Sequence, residues 1–384
     1  MAPARKYALT KEQTAMYRNE TLQNFRTIAK IMSTYASYTL SAKDLAPVEV
    51  KEYLSEIGEF AEITYSTLST GFIFDNLATL MEPGFPLEGY HSVRDSKLLS
   101  AFTGKTADLP GYLVYRPHTK QLVLAFSGTA TVMQAVHDLR ALHHRHPSRR
   151  GNVHSGFWKL YKGIKSLALE AIRNGLAEHS EQDVTELVIT GHSMGAAVSQ
   201  LLLMDILRDE SLLRDRETRS WSSTGANFWT LDAPKYGEAS ISEYSVKAYN
   251  DGKLTLIIFL CAIFLQRQVD CIPGVPSLPP LAFGYRHYAR SPFYFLHGRL
   301  YHIPVESREY ALFHVTLDPE DEKIAPEHPR GGHNYYNGRD MEKFARRTIW
   351  VLEAMKKGGD WKERYRAKVA KHAVSRRLVI LPFP

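Results

Sequence analysis

Gly191-His192-Ser193-Met194-Gly195 is where the chain concentrates its chemical potential. A serine with glycines two residues before and after it suits a strained strand-to-helix turn that presents a hydroxyl for nucleophilic attack. The flanks agree: the apolar run Leu187-Val188-Ile189-Thr190 predicts a buried strand, and Ala196 to Leu207 predicts an apolar helix. At the positive end of that helix, negative charge developing on Ser193 would be stabilised. A serine nucleophile needs a base and an orienting acid, which in this architecture follow in the order Ser, Asp, His. Asp232, Asp251 and Asp270 are the acids in range. Asp270, in Val269-Asp270-Cys271-Ile272-Pro273 ahead of a Pro-rich loop, is favoured, with Asp232 as runner-up. For the base, His333 in Gly331-Gly332-His333-Asn334 is favoured over His287, His297, His302 and His314, because a Gly-rich loop lets the imidazole reach across. The oxyanion needs backbone N–H donors: Met194 follows the nucleophile, and Thr129 ends the loop Phe126-Ser127-Gly128-Thr129, with Asp138 placed to orient its hydroxyl.

Elements to hold these residues can be read along the chain. Residues 8–80 read as helical, starting with the capped Thr10-Lys11-Glu12-Gln13; Ile57, Phe60, Ala61, Thr64 and Tyr65 form one apolar pattern. Tyr112 to Tyr115 and Leu122 to Phe126, joined by Arg116-Pro117-His118-Thr119, predict a hairpin. A helix from Trp158 to Leu176, a strand over Asn227 to Leu231 and a final helix over 339–358 complete the pattern. Strands alternating with helices predict a mostly parallel sheet with helices on both faces. Three parts are expected: an N-terminal helical extension over 1–56, an α/β domain over 57–358, and a basic tail over 359–384.

Taken together, the motifs resemble the fungal class 3 lipase family. The resemblance rests on Leu124-Ala125-Phe126-Ser127-Gly128-Thr129, Val153-His154-Ser155-Gly156-Phe157, the Ser193 motif, Ala233-Pro234-Lys235-Tyr236-Gly237 and Val269-Asp270-Cys271-Ile272-Pro273, in that order. Leu278-Pro279-Pro280 and Gly284-Tyr285-Arg286-His287 continue it across roughly residues 57–355. It implies an α/β-hydrolase fold, hydrolysis of carboxylic esters such as acylglycerols, and no cofactor. It also implies Ser193, Asp270 and His333 as the triad, with Thr129 and Met194 forming the oxyanion hole. A lid is implied after Thr129, and Val132, Met133, Val136 and Leu139 give that segment an apolar face. The sequence departs from the family at Ser127, where Arg is usual, and at Asp232, where Gly is usual. An esterase for phenolic or short-chain esters and an inactive lipase-like scaffold are the alternative functions.

Composition narrows the field further. The chain has 384 residues, 44% of them apolar, with 17 Phe, 21 Tyr and 5 Trp, enough core material to exclude a mainly disordered protein. Cys261 and Cys271 are too few for a disulfide framework or a cysteine-based zinc site. His137, His143, His144 and His146 lack the spaced partners of a metal centre and read as a solvated loop beside the lid, so no metal is expected. The net charge of +7 is local: residues 341–384 carry 12 Lys/Arg against 4 Asp/Glu. That basic segment suits contact with an anionic membrane or lipid-droplet surface, and no motif points to nucleic acid. Scattered charges over residues 1–30 give no secretory signal, so a cytoplasmic location is expected. Gly252 to Gln266 interrupts the family pattern with a twelve-residue apolar run, Leu254 to Leu265, below the ~20 residues that span a bilayer. It reads as a retained intron, a buried strand or a membrane-touching loop.

Overall fold

The computed structural model describes residues 10–11, 13–14, 35–106, 108–128, 143–147, 152–179, 183–208, 217–223, 229–230, 254–260, 285–286, 293–296, 298–310, 312–320, 334–336 and 339–378. Its strands are β1 (Tyr35–Leu40), β2 (Lys97–Thr103), β3 (Pro110–Arg116), β4 (Gln121–Phe126), β5 (His143–Arg145), β6 (Asn152–His154), β7 (Glu186–His192) and β8 (Glu217–Ser223). They continue with β9 (Trp229–Thr230), β10 (Leu254–Leu260), β11 (Tyr285–Arg286), β12 (Phe293–Leu296), β13 (Arg299–His302), β14 (Leu312–Val315), β15 (Tyr335–Tyr336) and β16 (Arg339–Asp340). The helices are α1 (Val48–Ile63), α2 (Thr70–Asp75), α3 (Leu77–Leu80), α4 (Ser155–Glu178), α5 (Met194–Arg208), α6 (Met341–Lys356) and α7 (Trp361–Leu378).

Eight strands form the main sheet among the described residues, in the order β13-β12-β10-β8-β7-β4-β3-β2. The inner neighbours β4–β7, β7–β8, β8–β10 and β10–β12 are parallel. Antiparallel pairs close the edges, including the expected hairpin of β3 and β4. Alternation along β4 explains the two helical layers. Leu122, Leu124 and Phe126 join Leu187 and Ile189 against α4 and α5, while Val123 and Ala125 join Val188 against α1 and α6.

Two segments differ from the sequence reading. Tyr35–Leu40, inside the stretch expected to be helical, is a strand paired in parallel with β14. Ahead of it the expected cap is present: Thr10 N–H donates to Gln13 Oε1 (3.0 Å) and Gln13 N–H to Thr10 Oγ1 (3.1 Å). The strand beside β7 is Glu217–Ser223, whose sequence ETRSWSS lacks an apolar run and therefore gave no signal; Trp229–Thr230 lies instead in a four-stranded sheet with β11, β6 and β5. Leu254–Leu260, from the interrupting segment, takes the strand alternative and lies between β8 and β12.

The boundary expected between residues 56 and 57 falls within α1, and the basic segment is largely the helix α7, docked on the domain. Tyr365 is fully buried beneath it, stacks on Phe85 at 4.7 Å and donates its hydroxyl to the Gly84 carbonyl at 2.9 Å. Trp361 meets Phe72 edge-on at 5.4 Å, and Trp350 on α6 stacks with His372 at 4.4 Å. Chemical denaturation of Tyr365→Ala should show a loss of about 3 kcal/mol from the cavity left behind. Lys371→Ala, exposed on the same helix, should stay within about 0.5 kcal/mol of the parent.

Candidate active site

β7 is buried along its whole length and feeds directly into α5 through a turn at Ser193. Ser193 has φ +58°, the left-handed region that non-glycine residues rarely occupy, so its backbone is held there by its surroundings. Those surroundings are backbone. A Cβ on Gly191 would lie 2.4 Å from the Gly195 carbonyl carbon, and one on Gly195 would lie 2.3 Å from the Phe126 carbonyl oxygen. The Ser199 hydroxyl lies 2.9 Å from the Thr190 carbonyl and 2.8 Å from that of Gly195, bridging strand end and first helical turn. Ser193 itself is 1% exposed, and among the described residues its Oγ has no hydrogen-bond partner. A buried hydroxyl without a partner is costly in a merely structural serine. The N-terminal end of α5 beside it favours negative charge.

The loop leaving β4 lies against this turn. A Cβ on Gly128 would sit 3.0 Å from Ser193 Cβ and 2.2 Å from the Tyr65 hydroxyl oxygen. Gly128 N–H donates to that oxygen at 3.1 Å, and Tyr65 Oη is 2.6 Å from His192 Nδ1. The two rings meet edge-on at 5.3 Å. Burial of the hydroxyl pushes the Tyr65 pKa well above the usual phenol value, so it stays protonated.

With this geometry in place, similarity to known proteins becomes informative. The sequence model of the family described as Lipase (class 3) matches residues 123–277, a span that contains β4, β7, the Ser193 turn and α5. Over that span the chain is similar to the class 3 lipase family. A lipase from Rhizopus niveus is 26% identical over 196 residues, covering 51% of this chain and 44% of that protein. The chain thus spans about half the length of the curated relatives it matches. Among solved structures, the native Rhizomucor miehei lipase propeptide complex superposes with a TM-score of 0.57 at 15% identity, covering 87% of this chain and 95% of that one. A triacylglycerol lipase whose catalytic centre is described as a serine protease triad superposes at 0.54 with 16% identity, covering 78% and 98%. The fold is that of the α/β-hydrolases.

In this chain Ser193 occupies the strand–helix turn and Met194 is the first residue of α5. Thr129, Asp270 and His333 lie outside the described residues, as do Asp138, Asp232, Asp251, His287, His297 and the lid segment 132–139. Two of the less favoured histidines are engaged elsewhere: His302 packs on Phe293 at 4.6 Å and His314 stacks on Tyr35 at 4.8 Å. In the histidine-rich stretch, His144 and His146 pack against Trp158 at 5.5 and 5.2 Å, and His146 is buried, so that part is strand and core rather than solvated loop.

Asn334 and Arg339, which follow His333 in the chain, are tightly held. Asn334 is buried; its side-chain amide donates to Glu342 at 3.0 Å, and its carbonyl accepts from Met341 N–H at 3.0 Å. Arg339 donates to buried Glu62 at 2.5 Å and to the Ser55 hydroxyl and carbonyl at 3.1 and 3.0 Å. Tyr90 donates to the other Glu62 oxygen, and Ser92 N–H donates to Glu59 at 2.8 Å. Sequence pattern hides this clamp, because nothing local to Glu62 points to Arg339, 277 residues further on.

Burial pushes Glu59 up to about 7, although Arg339 and Ser92 N–H oppose the shift. A carboxyl raised in the folded state adds stability that is complete below its unfolded pKa and is lost as pH rises through the folded value. The stability of the parent relative to Glu59→Gln should therefore fall from about pH 4.5 to about pH 7 and then level off, as urea unfolding at a series of pH values will show. Gly195→Ala should fail to accumulate as folded protein, measured by soluble yield and near-ultraviolet circular dichroism, because its Cβ would overlap the Phe126 carbonyl oxygen.

Proposed function

We propose that the chain is a serine hydrolase of carboxylic esters, acylglycerols above all, working through an acyl-enzyme on Ser193. The observation that carries this reading is the Ser193 hydroxyl, which is buried and without a partner among the described residues, at positive φ and at the start of α5. The family match over residues 123–277 and the likeness to a triacylglycerol lipase support the substrate class.

In the proposed mechanism His333 takes the Ser193 proton while Oγ attacks the ester carbonyl. Asp270 holds the imidazole and balances its charge. The tetrahedral oxygen receives the Met194 N–H and donors from Thr129, helped by the positive end of α5. Collapse expels the alcohol, which takes the proton from His333. Water then adds to the acyl-enzyme by the same route in reverse and releases the carboxylic acid. No cofactor or metal enters the proposed cycle. Contact with an anionic membrane or lipid-droplet surface belongs to the same proposal, supported by the 12 Lys/Arg against 4 Asp/Glu of residues 341–384.

A panel of p-nitrophenyl esters of rising chain length, with an emulsified triglyceride beside it, tests the reading. Ser193→Ala should lose about 10⁶ in kcat and Asp270→Asn about 10⁴, with Asp232→Asn losing less than Asp270→Asn. His333→Ala should abolish turnover. Turnover that survives Ser193→Ala sinks the proposal.

A further inference from the structure

Tyr65 has a place in this site that the family motifs leave unassigned. It lies just beyond α1, far in sequence from every residue so far given a role. Its hydroxyl nevertheless touches both halves of the site. On one side it accepts the Gly128 N–H, which belongs to the loop that leads into Thr129. On the other it contacts His192, the residue before Ser193, at Nδ1 (2.6 Å) and, more distantly, at the carbonyl oxygen (3.4 Å).

The proton count keeps the hydroxyl engaged with both partners. A phenol hydroxyl donates one hydrogen and accepts others. With Gly128 N–H pointing at the oxygen, the hydroxyl donates to His192 Nδ1 in the tautomer that carries the imidazole proton on Nε2, and in the other tautomer it donates to the His192 carbonyl and accepts from Nδ1–H. Being neutral, Tyr65 keeps that proton through the pH range in which an esterase works. The seat is also closely fitted. Gly128 brings its Cα close enough to both the hydroxyl and Ser193 that a methyl group there would overlap the phenol oxygen. One hydroxyl thus ties the loop after β4 to the end of β7.

We propose that Tyr65 is a positioning residue for the oxyanion hole: it fixes Ser127 and Gly128 against the Ser193 turn, so that the donors that follow them in the chain meet the tetrahedral oxygen at the right distance. The proposal rests on the reading of Ser193 as the nucleophile. Placement of this kind acts on the transition state, in which the negative charge develops, far more than on the bound ester.

The test uses the full-length chain with the Tyr65→Phe variant, a p-nitrophenyl ester and a trifluoromethyl ketone, which forms a hemiketal oxyanion on an active serine. Tyr65→Phe should lower kcat by about 10- to 100-fold while KM changes by less than about threefold. Affinity for the ketone should fall in parallel with kcat/KM. A role confined to folding would lower the melting temperature and the fraction of active enzyme, and would leave the ketone affinity of the surviving sites unchanged. Adding Thr129→Val supplies a second readout: the double variant should be little slower than Thr129→Val alone, because both changes remove the same loop's contribution. If Tyr65→Phe does not fold, His192→Leu breaks the other side of the contact and should show the same split between kcat and KM. Wild-type kcat in Tyr65→Phe, or a ketone affinity that falls no more than KM rises, overturns the proposal while leaving Ser193 in its role. Turnover retained in Ser193→Ala overturns both.

Discussion

The contact between the first turn of α5 and the end of β4 governs the rest of the molecule. The Gly195 Cα approaches the Phe126 carbonyl so closely that no side chain fits between them, and Gly191 meets the Gly195 carbonyl with the same closeness. Two backbones can approach in this way only if both bear hydrogen alone at the crossing. Once they do, the chain must reverse from strand to helix within one residue, and that residue takes the left-handed backbone found at Ser193. The helix then starts under the strand ends with its positive pole at the serine. Ser199 and the apolar remainder of α5 keep it there. The position of the hydroxyl is therefore a product of main-chain contact, and side-chain packing secures it.

Much of this was legible in the sequence because it is written in local signals. The apolar run Leu122 to Phe126 predicted one arm of a hairpin, the run Leu187 to Thr190 predicted β7, and the paired glycines predicted the turn. Illegible parts depend on partners distant in sequence. Tyr65 falls on the apolar stripe begun by Ile57 and Ala61, and only its hydroxyl, in contact with His192 and Gly128, gives it away. Glu59 and Glu62 look like ordinary charges of an amphipathic helix until Arg339 is brought against them. Glu217–Ser223 shows the opposite failure, since a polar string carries no pattern from which a central strand could be inferred.

Polar groups at the two ends of the central strands are treated differently. At the start of β4 and β7, Gln121 bonds to Glu186 (2.5 Å), to the Arg116 guanidinium (2.7 Å) and to the Tyr53 hydroxyl (3.0 Å). Such a closed network meets the demand that buried polar atoms be satisfied. At the other end Tyr65, His192 and Gly128 satisfy one another, and the Ser193 hydroxyl, among the described residues, is left out. Buried charge on α1 answers to Arg339, close after the loop that bears His333. The α1 layer thus serves both the Ser193 turn and the segment that follows the candidate base.

The enclosure of β7 and α5 has a kinetic meaning as well. Amides in a strand buried along its whole length, and in a helix packed under it, open to solvent only when the central layers separate. Among the described residues the Ser193 turn therefore belongs with the slow-exchanging core. Local breathing leaves this turn intact, and its geometry persists until the domain as a whole comes apart.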